Sequence, residues 1–439
     1  MVARRTNPDL LTARPAAQRR FLLLQGPHGP FFRQLATQLT AAGAEVWRVG
    51  FNRGDQAFWR RPNYIAFQDG PEAWPDHVSA LLTDHAITDL VLYGDVRPIH
   101  ATAIRIAHAR QITIHVFEEG YLRPYWVTYE RGGSNGNSRL MSLDVEQMRT
   151  ALAQPGLPQP PAPAHWGDMR EHMFYGAIYH FFVMALNGRY RSFQPHRSIS
   201  VVEEFRLYLR RLMLLPWHGL QRLFISHHIH QSGFPYHLAL LQLDHDASFR
   251  AHSDLASTAA FVELCLDGFA IGAPPHHHLV FKAHPLEDGR VRLRRLIAAG
   301  AAARGLSKRV HFVRGGKLSF LLNAARTAVT VNSTAAQQAL WRGLPLKIFG
   351  RAVYEKPEFV SDQPLHAFFA APTRPDIAAY RDYRHFLLET SQVPGGFYSN
   401  RSRKHLLRQI VDIMLTPHDP YDALLKGTAA PRQQLFAVS

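Results

Sequence analysis

The sequence predicts an α/β chain: two similar α/β halves, each a parallel sheet with flanking helices, joined by a helical linker and followed by a helical C-terminal segment. Three observations predict it. Apolar runs of strand length alternate with longer helical stretches over 21–150 and again over 225–363, the pattern of right-handed βαβ units. The stretch between them, 151–224, lacks strand punctuation. Polar loops follow the apolar runs, at the edge where an open parallel sheet offers its ligand crevice. Two α/β halves joined by helices imply a cleft between them.

The elements follow in order. Residues 1–20 carry Arg4, Arg5, Arg14, Arg19 and Arg20 without the apolar centre of a secretory signal, and read as a loose basic leader. A strand at 21–24 runs into Gln25-Gly26-Pro27-His28-Gly29-Pro30 and then a helix that Gly43 closes. Strands at 45–49, 89–93 and 112–117 alternate with helices at 75–85 and 98–110. Proline crowds 154–163, and 172–224 is helical, aromatic and basic, so 151–224 reads as a connector. The alternation resumes with strands at 236–243, 278–282, 310–313, 328–331 and 346–349. Helices fill the intervals at 254–272, 287–303, 317–325 and 335–342. Residues 364–439 read as helices packing back on the first half.

Composition narrows the function. At 439 residues, 46% hydrophobic and 19% charged, the chain can bury a substantial core, which excludes global disorder. A formal net charge of +16 makes polyanions plausible company: nucleic acid, anionic lipid or nucleotide-activated substrates. Arginine is nevertheless dispersed, with no recognisable nucleic-acid motif, so no specific nucleic-acid partner is expected. Cys265 is the only cysteine, which excludes an intramolecular disulfide and a cysteine-based metal site. No apolar run approaches the roughly 18 to 20 residues that span a bilayer, so a soluble or peripheral protein is expected.

The candidate chemistry lies in the strand-end loops. Glu118 and Glu119 follow an apolar strand, where a partly desolvated carboxylate can serve as acid, base or nucleophile in glycosyl chemistry; the alternative is a turn cap or a pair with Arg123. Asp95, after Gly94, is a third carboxylate, or an N-cap-like residue for the helix at Pro98. Lys282 and His284 alternate by two and share a face, with Pro285 fixing the turn, which suits a phosphate or carboxylate. Ser333 and Thr334 open the helix at 335–342, either as an anion site with its first N–H groups or as plain caps. The runs His276-His277-His278 and His227-His228 make poor metal sets, because consecutive residues rarely converge on one ion, and no metal site is assigned. Residues 205–224, with Arg206, Arg210, Arg211 and Arg222 among Leu, Met and Trp, fit a helix on an anionic membrane or a connecting helix interrupted at Pro216. The glycine-rich loop from Gly132 to Gly136 reads as flexible; it is neither a Walker A loop nor a GxGxxG.

Taken in order, these motifs resemble the capsule polysaccharide biosynthesis and export family of the KpsS/LipB type, related to the KpsC retaining β-Kdo transferases. The resemblance rests on Gln25-Gly26-Pro27-His28-Gly29-Pro30-Phe31-Phe32, Tyr93-Gly94-Asp95, Glu118-Glu119-Gly120-Tyr121-Leu122-Arg123-Pro124, Lys282-Ala283-His284-Pro285, Asn332-Ser333-Thr334 with Gln337-Gln338-Ala339-Leu340, and Gly343-Leu344-Pro345-Leu346. It covers about residues 20–360. The resemblance implies a GT-B-like pair of Rossmann-type domains facing a cleft, the half at 21–150 on the acceptor and catalytic side and that at 225–363 on the nucleotide-sugar side. It implies a metal-independent retaining transferase that takes Kdo from CMP-Kdo and adds the first residue to a phosphatidylglycerol-derived lipid, with no cofactor beyond that donor. Glu119 stands where the related transferases carry a catalytic aspartate, with Glu118 and Asp95 as further catalytic candidates. By the same analogy Lys282, His284, Pro285, Ser333, Thr334 and Gln337 would bind the donor, and Gln25, Gly26, His28 and Arg123 would line the cleft. The expected setting is the inner face of the bacterial inner membrane, with its anionic phospholipid and other capsule proteins as partners. Competing readings are a transferase using another sugar nucleotide and a non-catalytic glycolipid-binding assembly factor.

Overall fold

The computed structural model describes residues 15–153, 169–192, 201–244, 246–285, 287 and 289–427. Most of the expected leader and the proline-rich stretch 154–163 lie outside the described residues. The chain divides into two compact units, the first drawn from 1–139, 146–196 and 385–439, the second from 140–145 and 197–384. The connector at 151–224 is thus shared between the units.

The first unit begins with β1 (Arg20–Leu23), α1 (Phe31–Ala41), β2 (Glu45–Gly50), α2 (Arg53–Ala57) and β3 (Tyr64–Ala66). It continues with α3 (Trp74–Asp84), β4 (Asp89–Tyr93), α4 (Pro98–Ala109), β5 (Thr113–Glu119), β6 (Trp126–Arg131), α5 (Val145–Leu152) and α6 (Met169–Ala185). The second holds α7 (Val201–Ser232), β7 (Tyr236–Leu240), α8 (Ala247–Ala251), α9 (Thr258–Gly272), β8 (His278–Lys282), α10 (Leu293–Ala303) and β9 (Val310–Val313). After these come α11 (Leu318–Leu322), β10 (Ala325–Thr330), α12 (Gln337–Leu340), β11 (Leu346–Ile348) and α13 (Leu365–Ala370). The division between units falls within α14 (Ile377–Thr390), after which β12 (Gln392–Pro394), α15 (Asn400–Leu415) and α16 (Pro420–Leu425) belong to the first.

Each unit is Rossmann-type. The parallel strands of the first run β3-β2-β1-β4-β5, with β6 and β12 added antiparallel beyond β5. The second sheet is wholly parallel, β9-β8-β7-β10-β11. Both follow the strand order 3-2-1-4-5, whose reversal beside the first strand creates a crevice at the carboxyl edge. Two Rossmann-type units in one chain are the domain content of the GT-B-like class expected from the sequence.

The sequence produces this layering through alternation. On β1, Phe21 and Leu23 pack with Leu35 of α1 and Ile410 and Met414 of α15. Leu22 faces the other way, to Val78 of α3 and Ala103 of α4. A strand covered by helices on both faces reads as one continuous apolar run, and Phe-Leu-Leu-Leu does. In the second unit, α9 is capped by Ser257, whose hydroxyl accepts from the Ala260 N–H at 3.1 Å. Its Leu266 approaches α10 so closely that a Cβ on Gly300 would lie 2.7 Å from it.

The structure corrects several boundaries. Arg19 is no leader residue: it is buried, and its guanidinium holds the Asp89 carboxylate and donates to the Met414 carbonyl at 2.7 Å. β5 runs through Glu118 and Glu119, which are its last residues, because antiparallel β6 extends the ladder. β6, β3 and β12 were not expected; β3 and β12 are three-residue edge elements, too short to show alternation. The helix expected at 335–342 is a 3-10 turn, Thr334–Ala336, running into the four-residue α12. The C-terminal segment is helical except for β12.

At the amino edge of the first sheet, Asp89 accepts from Arg19 Nε at 3.1 Å, His115 Nε2 at 2.8 Å and Thr88 Oγ1 at 2.6 Å. Burial alone would raise this carboxyl, but the His115 and Arg19 hydrogen bonds outweigh it and hold it well below the usual carboxylate range. Replacing Asp89 with Ala strands a buried guanidinium and removes the imidazole's acceptor. The expected loss is about 3 to 5 kcal/mol of apparent stability in urea unfolding; a loss under about 1 kcal/mol would show that Arg19 finds another partner at no cost.

Candidate active site

In the first unit the strand-end residues converge. Gln25, after β1, is buried and accepts from Arg97 Nη1 at 2.8 Å, a bond that crosses the topological switch between β1 and β4. Its amide donates to Tyr179 of α6 at 3.1 Å, and that hydroxyl also receives the Asn52 amide at 2.6 Å. Asp55, capped into α2 by Asn52, completes the cluster beside Arg48. Gly26 is required sterically, since a Cβ there would lie 2.5 Å from the Phe32 ring. His28 packs on Tyr179 with ring centroids 4.3 Å apart.

One strand over are the two glutamates. Glu118 bends forward so that its Oε1 accepts from the Glu119 N–H at 2.9 Å, and Glu119 Oε1 accepts from Tyr93 OH at 3.1 Å. Gly120 follows because a side chain would meet the Trp126 carbonyl oxygen at 2.2 Å. Burial pushes the Glu118 carboxyl up to about 7; the Glu119 N–H, Arg123 and Arg97 oppose the shift and the Glu119 carboxylate adds to it. Burial and the Glu119 and Glu118 carboxylates hold the Tyr398 hydroxyl well above its ordinary value. His172 of α6 stacks on Tyr398 at 4.2 Å, its pKa lowered by burial against the pull of Glu119. The arrangement offers one carboxyl that exchanges its proton near neutrality, a second carboxylate beside it, and two guanidinium groups within electrostatic reach.

Asp95 is separated from this pair in role. Its Oδ2 accepts from the Ser134 N–H at 2.8 Å and the Asn137 amide at 3.1 Å, so it ties down the glycine-rich loop expected to be flexible. It does not cap α4, whose N-cap residue, Arg97, makes no side-chain cap bond. Arg123 donates from Nε to the Gly120 carbonyl at 3.3 Å and closes the turn after β5.

In the second unit, Lys282 and Thr330 both pair with Leu240, so β8 and β10 release their loops at one level on either side of β7. Lys282 is buried, with Nζ 3.4 Å from the Ala283 carbonyl, and burial lowers its pKa to about 8. His284 and Pro285 follow in the same loop, His284 half-buried and Pro285 exposed. Gln242 and Asn332 bridge the β7–β10 switch at 2.8 Å, the counterpart of Gln25 and Arg97. Ser333 acts as a cap, accepting from the Ala335 N–H at 3.3 Å, while its carbonyl takes the Tyr354 hydroxyl at 2.6 Å. Ser333 and Thr334 thus open a 3-10 turn and a four-residue helix in place of the longer helix expected there. Gln337 is buried and its carbonyl accepts from Tyr380 OH at 3.0 Å.

Sequence reasoning missed Arg97, Asp55, His172, Tyr179, Tyr398 and Gln242. For α6 the signal was present: His172, Tyr175 and Tyr179 recur at helical spacing and share a face. Among the described residues no group of three or more His, Cys, Asp and Glu side chains is placed to hold a metal ion, and no helix is long and apolar enough to cross a membrane.

The profile of the family described as "Capsule polysaccharide biosynthesis protein" matches residues 88–398. The capsule polysaccharide export protein KpsS of Escherichia coli is 31% identical over 381 residues, covering 87% of this chain and 97% of KpsS. The capsule polysaccharide modification protein LipB of Neisseria meningitidis serogroup B is 32% identical over 389 residues, 86% of this chain and 91% of LipB. Among solved structures, the Thermosulfurimonas dismutans KpsC β-Kdo 2,7 transferase aligns over 90% of this chain and 100% of its own, at 11% identity and TM-score 0.43. The extent of these sequence matches shows that the chain belongs to the capsule polysaccharide biosynthesis protein family.

Proposed function

We propose that this protein acts in capsular polysaccharide biosynthesis and export as a retaining β-Kdo glycosyltransferase. It takes the first Kdo from CMP-Kdo to a (lyso)phosphatidylglycerol acceptor at the membrane surface. The observation that carries a transferase reading is the pair at the end of β5: two adjacent carboxylates, one raised to about 7, beside Tyr93, Arg97 and Arg123. The choice of Kdo and of the lipid rests on the ordered motifs and on family membership.

Retention follows from two displacements at the anomeric carbon. The Glu119 carboxylate attacks first, forming a C–O bond as the bond to the CMP phosphate breaks and CMP leaves with the electron pair. The acceptor hydroxyl then displaces Glu119, and its proton passes to Glu118, whose pKa near neutrality suits a general base. Arg97 and Arg123 offset the charge that two carboxylates and an acidic sugar bring together. Lys282 and His284 of the second unit serve the donor phosphate and sugar carboxylate, a role that neutralises the leaving group and involves no metal.

Incubating the protein with CMP-Kdo and a fluorescent lysophosphatidylglycerol tests the reading. A single added Kdo mass on the lipid, with CMP released, is the expected result. Transfer from another sugar nucleotide instead, or lipid binding without donor consumption, would replace it with one of its competitors. Glu119→Gln is expected to lower turnover by at least roughly a thousandfold while CMP affinity changes little; sustained turnover would remove Glu119 from the reaction.

Glu118 predicts a pH signature. As a base it works deprotonated, so turnover rises as pH passes through about 7 and levels above it, and Glu118→Gln removes that rise. Because the folded-state pKa lies above the unfolded value, the carboxyl's contribution to stability is complete at low pH and is lost as pH rises through about 7. Glu118→Gln is therefore expected to stabilise the fold at pH 8 by about 1 to 2 kcal/mol and to do little at pH 4. Equal thermal shifts at both values would refute the desolvated carboxyl.

Lys282 predicts the opposite dependence for the donor. CMP affinity is expected to weaken as pH rises through about 8, where the ammonium is lost, and Lys282→Met should be weak and insensitive to pH across that range. Calorimetric titration with CMP gives the answer, and an unchanged affinity in the variant would take Lys282 out of the site.

A further inference from the structure

Two long helices turn apolar side chains outward. On α7, Met213, Trp217, Leu220 and Phe224 are 68%, 58%, 51% and 73% exposed. Their spacing of four, three and four puts them on one face, while Ile229, about half a turn round, is buried. On α6, Met173, Phe174, Phe181 and Met184 are also exposed, and Tyr179 and Val183 on the other side are buried. An ordinary surface helix does the reverse, with its apolar stripe inward.

Cations predominate beside these stripes. Arg206 lies in line with the α7 stripe and is exposed. In the first unit α6 meets the start of α15: the Asn400 N–H donates to Glu171 at 3.4 Å, and the Arg403 guanidinium lies 5.8 Å from the Tyr175 ring centre. From there α15 presents Arg401, Lys404 and Arg408, all exposed and with no ion pair among the described residues. With His405 they line a depression of about 330 Å³. Apolar and aromatic side chains accompanied mainly by cations, with Glu171 at the start of α6 as the acidic exception, are what an anionic bilayer surface selects; a protein interface carries a mixed polar rim.

We infer that each of these faces, that of α6 with the α15 cations in the first unit and that of α7 in the second, is by itself a docking face for an anionic phospholipid bilayer, its apolar side chains entering the headgroup–acyl boundary and the cations meeting lipid phosphates. This surface rests on the proposed function for its purpose, bringing the enzyme to a lipid acceptor, but its test reads membrane binding with no donor present.

The test is vesicle flotation of the full chain, with phosphatidylcholine alone and with equal parts phosphatidylcholine and phosphatidylglycerol. The wild-type protein is expected to float with the anionic vesicles and to come off at high salt. A combined Met213→Ser, Trp217→Ser, Leu220→Ser and Phe224→Ser variant is expected to lose roughly tenfold or more of its partitioning. Arg401→Glu, Lys404→Glu and Arg408→Glu together should remove the preference for phosphatidylglycerol. Circular dichroism and CMP binding, both unchanged in these surface variants, guard against misfolding. The inference falls if the wild-type protein ignores anionic vesicles or if the variants bind as it does. It falls equally if the wild type is a dimer that the α7 variant converts to a monomer, which would make the stripe an interface between copies. Vesicle binding without Kdo transfer would leave the surface standing and reject the proposed reaction.

Discussion

The first unit depends on one buried ionic node. Asp89 gathers Arg19, Thr88 and His115 at the amino edge of its sheet, and through Arg19 it reaches the end of α15. A charge at that depth is tolerable only when fully paired, so each partner is held in place by the penalty of losing it. His115 stays neutral there because burial pushes its pKa down to about 4, which leaves Nε2–H to face Asp89 and Nδ1 to face Tyr129 OH at 2.6 Å. Pairing Asp89 with Thr113 also fixes the register of β4 against β5, and four residues on it sets Tyr93 opposite Phe117. The anchor at one edge therefore decides which residues, Tyr93 and the two glutamates, stand together at the other.

What buries that far edge is the strand laid beyond it. A parallel sheet ending at β5 would leave Glu118 at an open rim. Antiparallel β6 pairs Glu118 with Thr128 and Glu119 with Val127, and β12 covers β6 in turn. Thr128 Oγ1 donates to the Glu119 carbonyl at 3.1 Å and accepts the Tyr121 N–H at 3.1 Å, which fixes the turn. The resulting desolvation raises Glu118, a stability penalty at neutral pH that fits the general base proposed for it.

The sequence was most legible where burial and period coincide. The strands at 89–93 and 278–282 have the ends their apolar runs imply, because both are interior strands enclosed on both faces; the edge strand at 310–313 also keeps its expected ends although it is only partly buried. Legibility failed where pairing overrode polarity. Glu118 and Glu119 looked like a loop and are strand, since backbone pairing with β6 holds them whatever their side chains prefer. In β6 itself Val127, Thr128, Tyr129 and Glu130 are all buried, so no polar face marks it. Arg97 and Tyr398 come from a helix start and a C-terminal segment, brought to the site by tertiary packing that local pattern does not encode. Ser333 alone read as a cap and, paired with the Lys282-His284 strand end, as an anion site; the cap bond is present, and the helix it opens is shorter than its pattern implied.

Duplicate topology does not make the two switch points alike. Each bridges its switch point with an amide side chain, Gln25 to Arg97 in one and Gln242 to Asn332 in the other. The first bridge contains a cation that also draws down Glu118 and lies 5.6 Å from the Tyr93 ring centre; the second is neutral, made of two amides. The nearby cation in the second unit is Lys282, on the opposite side of β7 from Asn332. A carboxylate centre needs a fixed positive charge that burial cannot switch off, which a guanidinium supplies. The phosphate role proposed for Lys282 needs only an ammonium with a lowered pKa, because an incoming dianion restores the proton. The division into a carboxylate edge and a lysine edge thus follows from which residue each copy of the fold places beside its first strand.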